Sequence, residues 1–144
     1  MQLRRNFFTR VAAVAAAIVV ARTANAAPEQ KKNRIVFQVS DNDPKKWNQV
    51  LNNLENVQEA FGKDNVQIEV VAYGMGIGML KLDSVVSGRV SDAAKSGVGL
   101  IACEVTMRKQ KLTRADMHPN IGYVPGGIVH IVTRQQEGWS YIKG

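Results

Sequence analysis

The sequence predicts an α/β domain built on a mainly parallel sheet of about five strands, with helices on both faces. Three observations predict it. Short apolar, β-branched runs recur at 34–39, 66–73, 98–102, 121–124 and 139–142, and segments of helical character separate most of them. The second run, VQIEVVAY, is apolar almost throughout where a solvent-facing strand would alternate, as suits a strand buried on both faces. Finally, 118 of the 144 residues follow Ala26, enough for one domain with a real core and too few for two.

Residues 1–26, MQLRRNFFTRVAAVAAAIVVARTANA, have a basic head, an apolar middle from Val11 to Ala21 and an Ala24-Asn25-Ala26 end. The apolar stretch is too short to span a membrane, so the segment reads as an export signal cleaved after Ala26, with Ala27 also fitting. Arg4-Arg5-Asn6-Phe7-Phe8 sets paired arginines just before bulky apolar residues, the pattern of a twin-arginine signal. An ordinary Sec signal that carries two arginines is the alternative. The expected location is the periplasm, without membrane attachment after cleavage. The segment holds four arginines and no acids, so its removal leaves fifteen basic against twelve acidic residues and a net charge of about +3 instead of +7. The high pI is mostly the signal's. No long basic run remains, and no nucleic-acid partner is expected. A single cysteine forms no intrachain disulfide, so the fold rests on its core.

After a polar lead over 27–33, RIVFQV (34–39) is the first strand. Asp43 caps a helix that opens at Pro44, carries Trp47, Val50, Leu51, Leu54, Val57 and Phe61 at steps of mostly three or four, and closes at Gly62. The second strand leads into Gly74-Met75-Gly76-Ile77-Gly78-Met79. Met79 stands where a dinucleotide fingerprint needs its third glycine, and no Gly-Lys-Ser/Thr follows, so these glycines predict a flexible loop that lets backbone approach something closely, such as a ligand. A helix over 84–96 has Val85, Val86, Val90, Ala93 and Ala94 as its apolar face despite Gly88. Beyond the third strand, Val105 to Leu112 suits a short helix, and Thr113 to Asp116 the capped start of a helix that Pro119 stops. A fourth strand over 121–124 ends at Pro125-Gly126-Gly127. IVHIVT (128–133) is ambiguous: its β-branched residues prefer a strand, while Ile128, Ile131, Val132 and Gln135 fit one helical face. Residues 139–142 close the sheet.

Cys103 sits where the third apolar run gives way to polar and basic residues. A thiol at a strand end and helix start faces the positive end of the helix dipole, and Arg108 one turn on adds a cation that favours the thiolate. Glu104 beside it works the other way. The bland alternative is a cysteine that fills the core. Asp41, Asn42 and Asp43 end the first strand on the same sheet edge, although helix capping already accounts for Asp43. His118 reads as a loop residue and His130 as lying on the polar side of the last helix, and either could serve as base to the thiol. Neither C-x-x-C nor H-x-x-x-H occurs, and no metal or cofactor is expected.

The segment from Ile101 to the end resembles the DsrE/DsrF-like family of sulfur-metabolism proteins, in its exported single-domain branch. The resemblance lies in Ala102-Cys103 with Thr106-Met107, Asp116 with Pro119, Val124-Pro125 with Gly127, and Arg134-Gln135 with Gly138-Trp139 and Tyr141-Ile142. It implies a three-layer α/β/α sandwich over 34–144, helix for IVHIVT, subunits assembled as trimers or hexamers, and a cysteine that carries sulfur as a persulfide in exchange with a donor or acceptor protein. Cys103 is then the candidate catalytic residue, and Thr106, Arg108, Asn42, Tyr73, Gly74 and Gly76 are the candidate supporting residues. Two function classes follow: a periplasmic sulfur carrier or sulfurtransferase-like relay through Cys103, or a non-catalytic oligomeric module that binds a small ligand or partner with Cys103 buried.

Overall fold

The structure, a computed structural model, describes residues 33–144. The expected export signal and most of the polar lead lie outside the described residues; Asn33, the last residue of that lead, opens the first strand. Strands β1 (Asn33–Val39), β2 (Val66–Ala72), β3 (Gly99–Cys103), β4 (Gly122–Val124) and β5 (Ser140–Lys143) form one sheet in the order β4-β3-β2-β1-β5. All four neighbouring pairs are parallel, with Phe37 opposite both Val70 and Ile142, Val71 opposite Ile101, and Cys103 opposite Val124.

The helices are α1 (Pro44–Phe61), α2 (Ser87–Lys95), α3 (Glu104–Lys109) and α4 (Gly127–Gln136). From β1 to β4 each strand adds on the same side of the one before, and then β5 returns to the far edge beside β1. Right-handed crossovers that run one way lie on one face of the sheet, and the one that runs back lies on the other. The packing follows that rule. Side chains of α1, α2, α3 and the 3₁₀ helix Gly74–Leu80 share the main core with Phe37, Val70 and Leu100. On the opposite face Ile131 of α4 packs with Val36, Val71 and Trp139. This is the expected three-layer α/β/α sandwich, with a third layer one helix thick.

Local chemistry explains the elements. Asp43 accepts a hydrogen bond from the Lys45 amide at 2.9 Å, Pro44 takes the first helical position, and Gly62 ends α1 at φ +84°, where glycine carries no Cβ penalty. Trp47, Val50, Leu51 and Leu54 form the inner face, whereas Phe61 is exposed. The expected helix over 84–96 starts later, at Ser87: Val86 is its cap and Val85 is exposed, so the apolar face is Val86 and Val90 with the half-buried Ala93 and Ala94. In α4, IVHIVT is helical, because Ile131 completes the core there and the chain must cross back to β5. The glycine-rich segment is ordered as a 3₁₀ helix with Ile77, Met79 and Leu80 buried, not a loop around a ligand.

Of these glycines, Gly76 is the one that approaches β1. A Cβ on Gly76 would stand 2.3 Å from the Val39 carbonyl oxygen, and backbone cannot turn aside as a side chain does. Gly76→Ala should therefore destabilise the protein by about 3 kcal/mol or more, the upper end for overpacking. Gly88→Ala, in helical backbone with nothing within 4 Å, should be neutral or slightly stabilising. Urea midpoints of the two variants check the contrast.

Candidate active site

Neighbouring strands β3 and β4 send their connections to opposite faces, α3 toward the main core and α4 away from it. In open α/β sheets the crevice beyond the strand ends at such a reversal is where ligands bind. Cys103 ends β3 at this reversal, and the chain after its neighbour Val124 turns through Pro125-Gly126 so that α4 begins beside it.

Cys103 as a residue is only 5% exposed. The Gly127 amide, first in α4, donates to Cys103 Sγ at 3.2 Å. Only glycine fits there without displacement, since a Cβ would lie 3.2 Å from Cys103 Cβ and 3.3 Å from both Tyr73 Cβ and Val71 Cγ1. On the other side, the Gly74 amide donates to Thr106 Oγ1 at 2.9 Å, which leaves the Thr106 hydroxyl proton for the sulfur. Burial pushes the thiol pKa up. The amides of Thr106 and Gly127, the Thr106 hydroxyl and the Val105 amide outweigh it, and the pKa lies below the ordinary cysteine value.

Of the expected supporting residues, Thr106, Gly74 and Tyr73 gather around the thiol. Tyr73 also accepts a hydrogen bond from Gln38, whose carbonyl accepts from Tyr141. Gly76 packs on β1, as above. Asn42 lies on the same sheet edge but beside Gly78 and Trp47, at the start of α1 and not at the thiol. Arg108 is exposed with no hydrogen bond to the sulfur, because the short helix turns it to solvent. Glu104 points to Arg114, 4.0 Å away, and does not figure among the groups that set the thiol pKa. Gly127 is a functional position that local sequence reading treats only as a strand ending; the resemblance motif Val124-Pro125 with Gly127 was its one signal.

A second cluster lies under α4. Glu69 of β2, 7% exposed, accepts from Arg134 Nε at 2.9 Å and Nη2 at 2.7 Å, and His130 Nε2 lies 2.7 Å from it. Burial pushes the Glu69 pKa up, but the hydrogen bonds from Arg134 and His130 outweigh it and hold the pKa below the ordinary carboxylate value. His130 thus faces the sheet, contrary to its expected polar position, because Glu69 gives it a partner there. His118 is buried and its Nδ1 accepts from the Asn120 amide. Neither histidine is hydrogen-bonded to the thiol.

The protein MTH1491 of Methanobacterium thermoautotrophicum, of unknown function, has a solved structure that is 37% identical in sequence, with a TM-score of 0.75 over 78% of this chain and 99% of its own. This chain belongs to the MTH1491 family. BT1422 of Bacteroides thetaiotaomicron, also of unknown function, matches at 15% identity and TM-score 0.63 over 78% and 95% of the two chains. The ychN protein of E. coli matches at 6% and 0.59 over 78% and 98%, which shows the fold alone. These likenesses give the chain a DsrE/YchN-like fold. No protein-family model and no curated protein matches the sequence.

In this MTH1491-family chain two clefts lie apart from the cysteine. One of about 450 Å³ separates α1 from α2 and is lined by Gln58 and Arg89; one of about 490 Å³ is lined by Arg34, Arg134 and Trp139. Concavity alone would point there, but Cys103 lines neither. Among the described residues no three His, Cys, Asp or Glu side chains group as a metal site, and no helix is long and apolar enough to cross a membrane.

Substitution of Thr106 tests the hydroxyl contact. Thr106→Val keeps the side-chain outline but removes both the donor to the sulfur and the acceptor of the Gly74 amide, so the thiolate is favoured less and the alkylation profile moves to higher pH, with some loss of stability. Alkylation near pH 7 should slow about tenfold, as expected for one hydrogen bond to a charged group. Thr106→Ser should retain the wild-type profile.

Proposed function

We propose that this protein is a periplasmic sulfur carrier that holds sulfane sulfur as a persulfide on Cys103. The observation that carries the reading is the thiol's setting: it ends a strand at the reversal of the sheet, with the Gly127 amide at 3.2 Å and the Thr106 hydroxyl turned to it. These donors favour the anion, which is the nucleophile. The thiolate attacks the outer sulfur of a donor R–S–SH. A new S–S bond forms on Cys103 as the old one breaks, and R–S⁻ leaves with the electron pair. A thiolate of an acceptor protein removes the sulfur by the same exchange, so the transfer needs no redox cofactor. The same donors then face the persulfide anion. The DsrE/YchN-like fold supports the reading, since characterised DsrE/DsrF-like proteins carry sulfur on a cysteine. Periplasmic location rests on the signal pattern of residues 1–26.

The 5% exposure of Cys103 favours a second reading, a non-catalytic oligomeric module that binds a small ligand or partner while the thiol fills the core. Mass spectrometry separates the two. Incubation with polysulfide or thiosulfate should add about 32 Da, one sulfur atom, reversibly by dithiothreitol and not in Cys103→Ser. No adduct, with a thiol that alkylates only after unfolding, would leave the second reading standing.

Assembly into a homo-oligomer, a trimer or hexamer, is part of the proposal. Its support in this chain is the outer face of α4, where Ile128, Val129 and Val132 are 53%, 69% and 46% exposed. Light scattering of the mature protein at micromolar concentration should return a multiple of the chain mass, and the mass of one chain would count against it.

A further inference from the structure

We propose that Glu69 is a positioning residue for Cys103: its buried carboxylate, gripped by His130 and Arg134, fixes the placement of α4 that brings the Gly127 amide to the thiol. The inference rests on the sulfur-carrier reading for its biological meaning, since it concerns what sets the reactivity of that thiol, but its test needs no sulfur donor.

The argument begins with what holds α4 on the sheet. Only Gly127 and Ile131 of the helix are buried, and Ile128, Val129 and Val132 are exposed. Apolar contact is non-directional, so one isoleucine on Val36, Val71 and Trp139 attaches the helix without fixing where along the sheet it sits. The carboxylate does fix it. Among the described residues every hydrogen bond to the Glu69 carboxylate comes from α4: His130 at 2.7 Å and two from Arg134 at 2.9 and 2.7 Å. The strand beside it offers only Gly99, whose Cβ position lies 3.3 Å from Glu69 Cγ. The Arg134 guanidinium is itself held, by Glu137 at 2.8 Å and by the Trp139 ring 4.7 Å below, so its paired donors have a set direction.

Helical geometry transmits that constraint. Gly127, His130, Ile131 and Arg134 are spaced by three and four residues and share the inner face of α4. A slip of one residue moves the helix about 1.5 Å along its axis and turns it about 100°. Both donors would leave the carboxylate, and a buried charge without partners is among the costliest defects of a protein interior. The same slip would carry the Gly127 amide away from Sγ. Glu69 touches neither the thiol nor any atom bonded to it, so it acts through the helix.

The experiment is a pH titration of thiolate ultraviolet absorbance in the folded mature protein, with Cys103→Ser as the blank. This readout does not depend on reagent access. Glu69→Gln keeps the side-chain shape and removes the charge; it should leave about tenfold less thiolate at neutral pH, the effect of weakening one hydrogen bond to a charged group. Ile131→Val loosens the same helix by one methyl group and should leave the titration unchanged. Should Glu69→Gln not fold, Arg134→Lys, which keeps the charge but loses the paired geometry, is read in its place with the same expectation. A folded variant with the wild-type titration would overturn the proposal, as would an equal shift in Ile131→Val, which would make the effect one of general loosening. Failure to form a persulfide in the wild type would sink the carrier reading and leave this inference intact.

Discussion

The arrangement depends on one reversal in the order of the strands. Four strands are laid down in sequence across the sheet, and the fifth returns past all of them to the opposite edge. Because the crossovers are right-handed, that return puts α4 on the face the other helices leave open. Two consequences follow together. The ends of β3 and β4 part at a crevice, which holds the chain's only cysteine, and the face beyond the crevice has a single helix for cover. Site and thin layer are products of the same topological step.

A thiol in such a place is caught between opposing effects. Burial alone makes cysteine inert, since the thiolate loses its water. Here the donors around the sulfur are backbone amides and a hydroxyl, and their combined pull wins. None of them is an ion. A thiolate supported by fixed dipoles at contact distance is little affected by the salt that weakens attraction from an exposed cation such as Arg108. Nor does Glu104 oppose it, because the side chain turns outward to Arg114.

The sequence carried the fold more plainly than the site. Strand and helix periods, the Asp43-Pro44 start, the Gly62 stop and the non-alternating second strand each have local causes, and they reappear with ends shifted by a residue or so. The helix expected over 84–96 missed by three residues at its start because Val85 and Val86 look alike in sequence and only packing shows that one is buried and the other exposed. The identity of α4 was open for the same reason: β-branched residues speak for a strand, and the return crossover overrides them. At the site, Cys103, Thr106, Gly74 and Tyr73 were legible as residues near two strand ends. Arg108 and Asn42 were not excluded by sequence, since a helix face and a loop direction are tertiary facts. Glu69 was hidden in an apolar run, where one acid reads as an interruption until Arg134 and His130, more than sixty positions away, are seen to meet it.

That a carboxylate sits in this layer at all needs a physical reason, since an apolar side chain of the same volume is often as stable in such a place. What ions add is direction. On the main-core face, α1 presents four large buried side chains that interlock with the sheet, and polar locks are unnecessary. On the opposite face α4 has one isoleucine and a glycine, too little relief to define a position. Glu69, His130 and Arg134 provide it by hydrogen-bond geometry. Their helix then has two roles that share one end: its inner face sets an amide against the thiol, and its outer face begins with Ile128, the residue after that amide. The exposed row of Ile128, Val129 and Val132 therefore begins one residue from the amide that meets Cys103, so a neighbouring subunit of the proposed oligomer seated on that row would sit one residue from the thiol's donor.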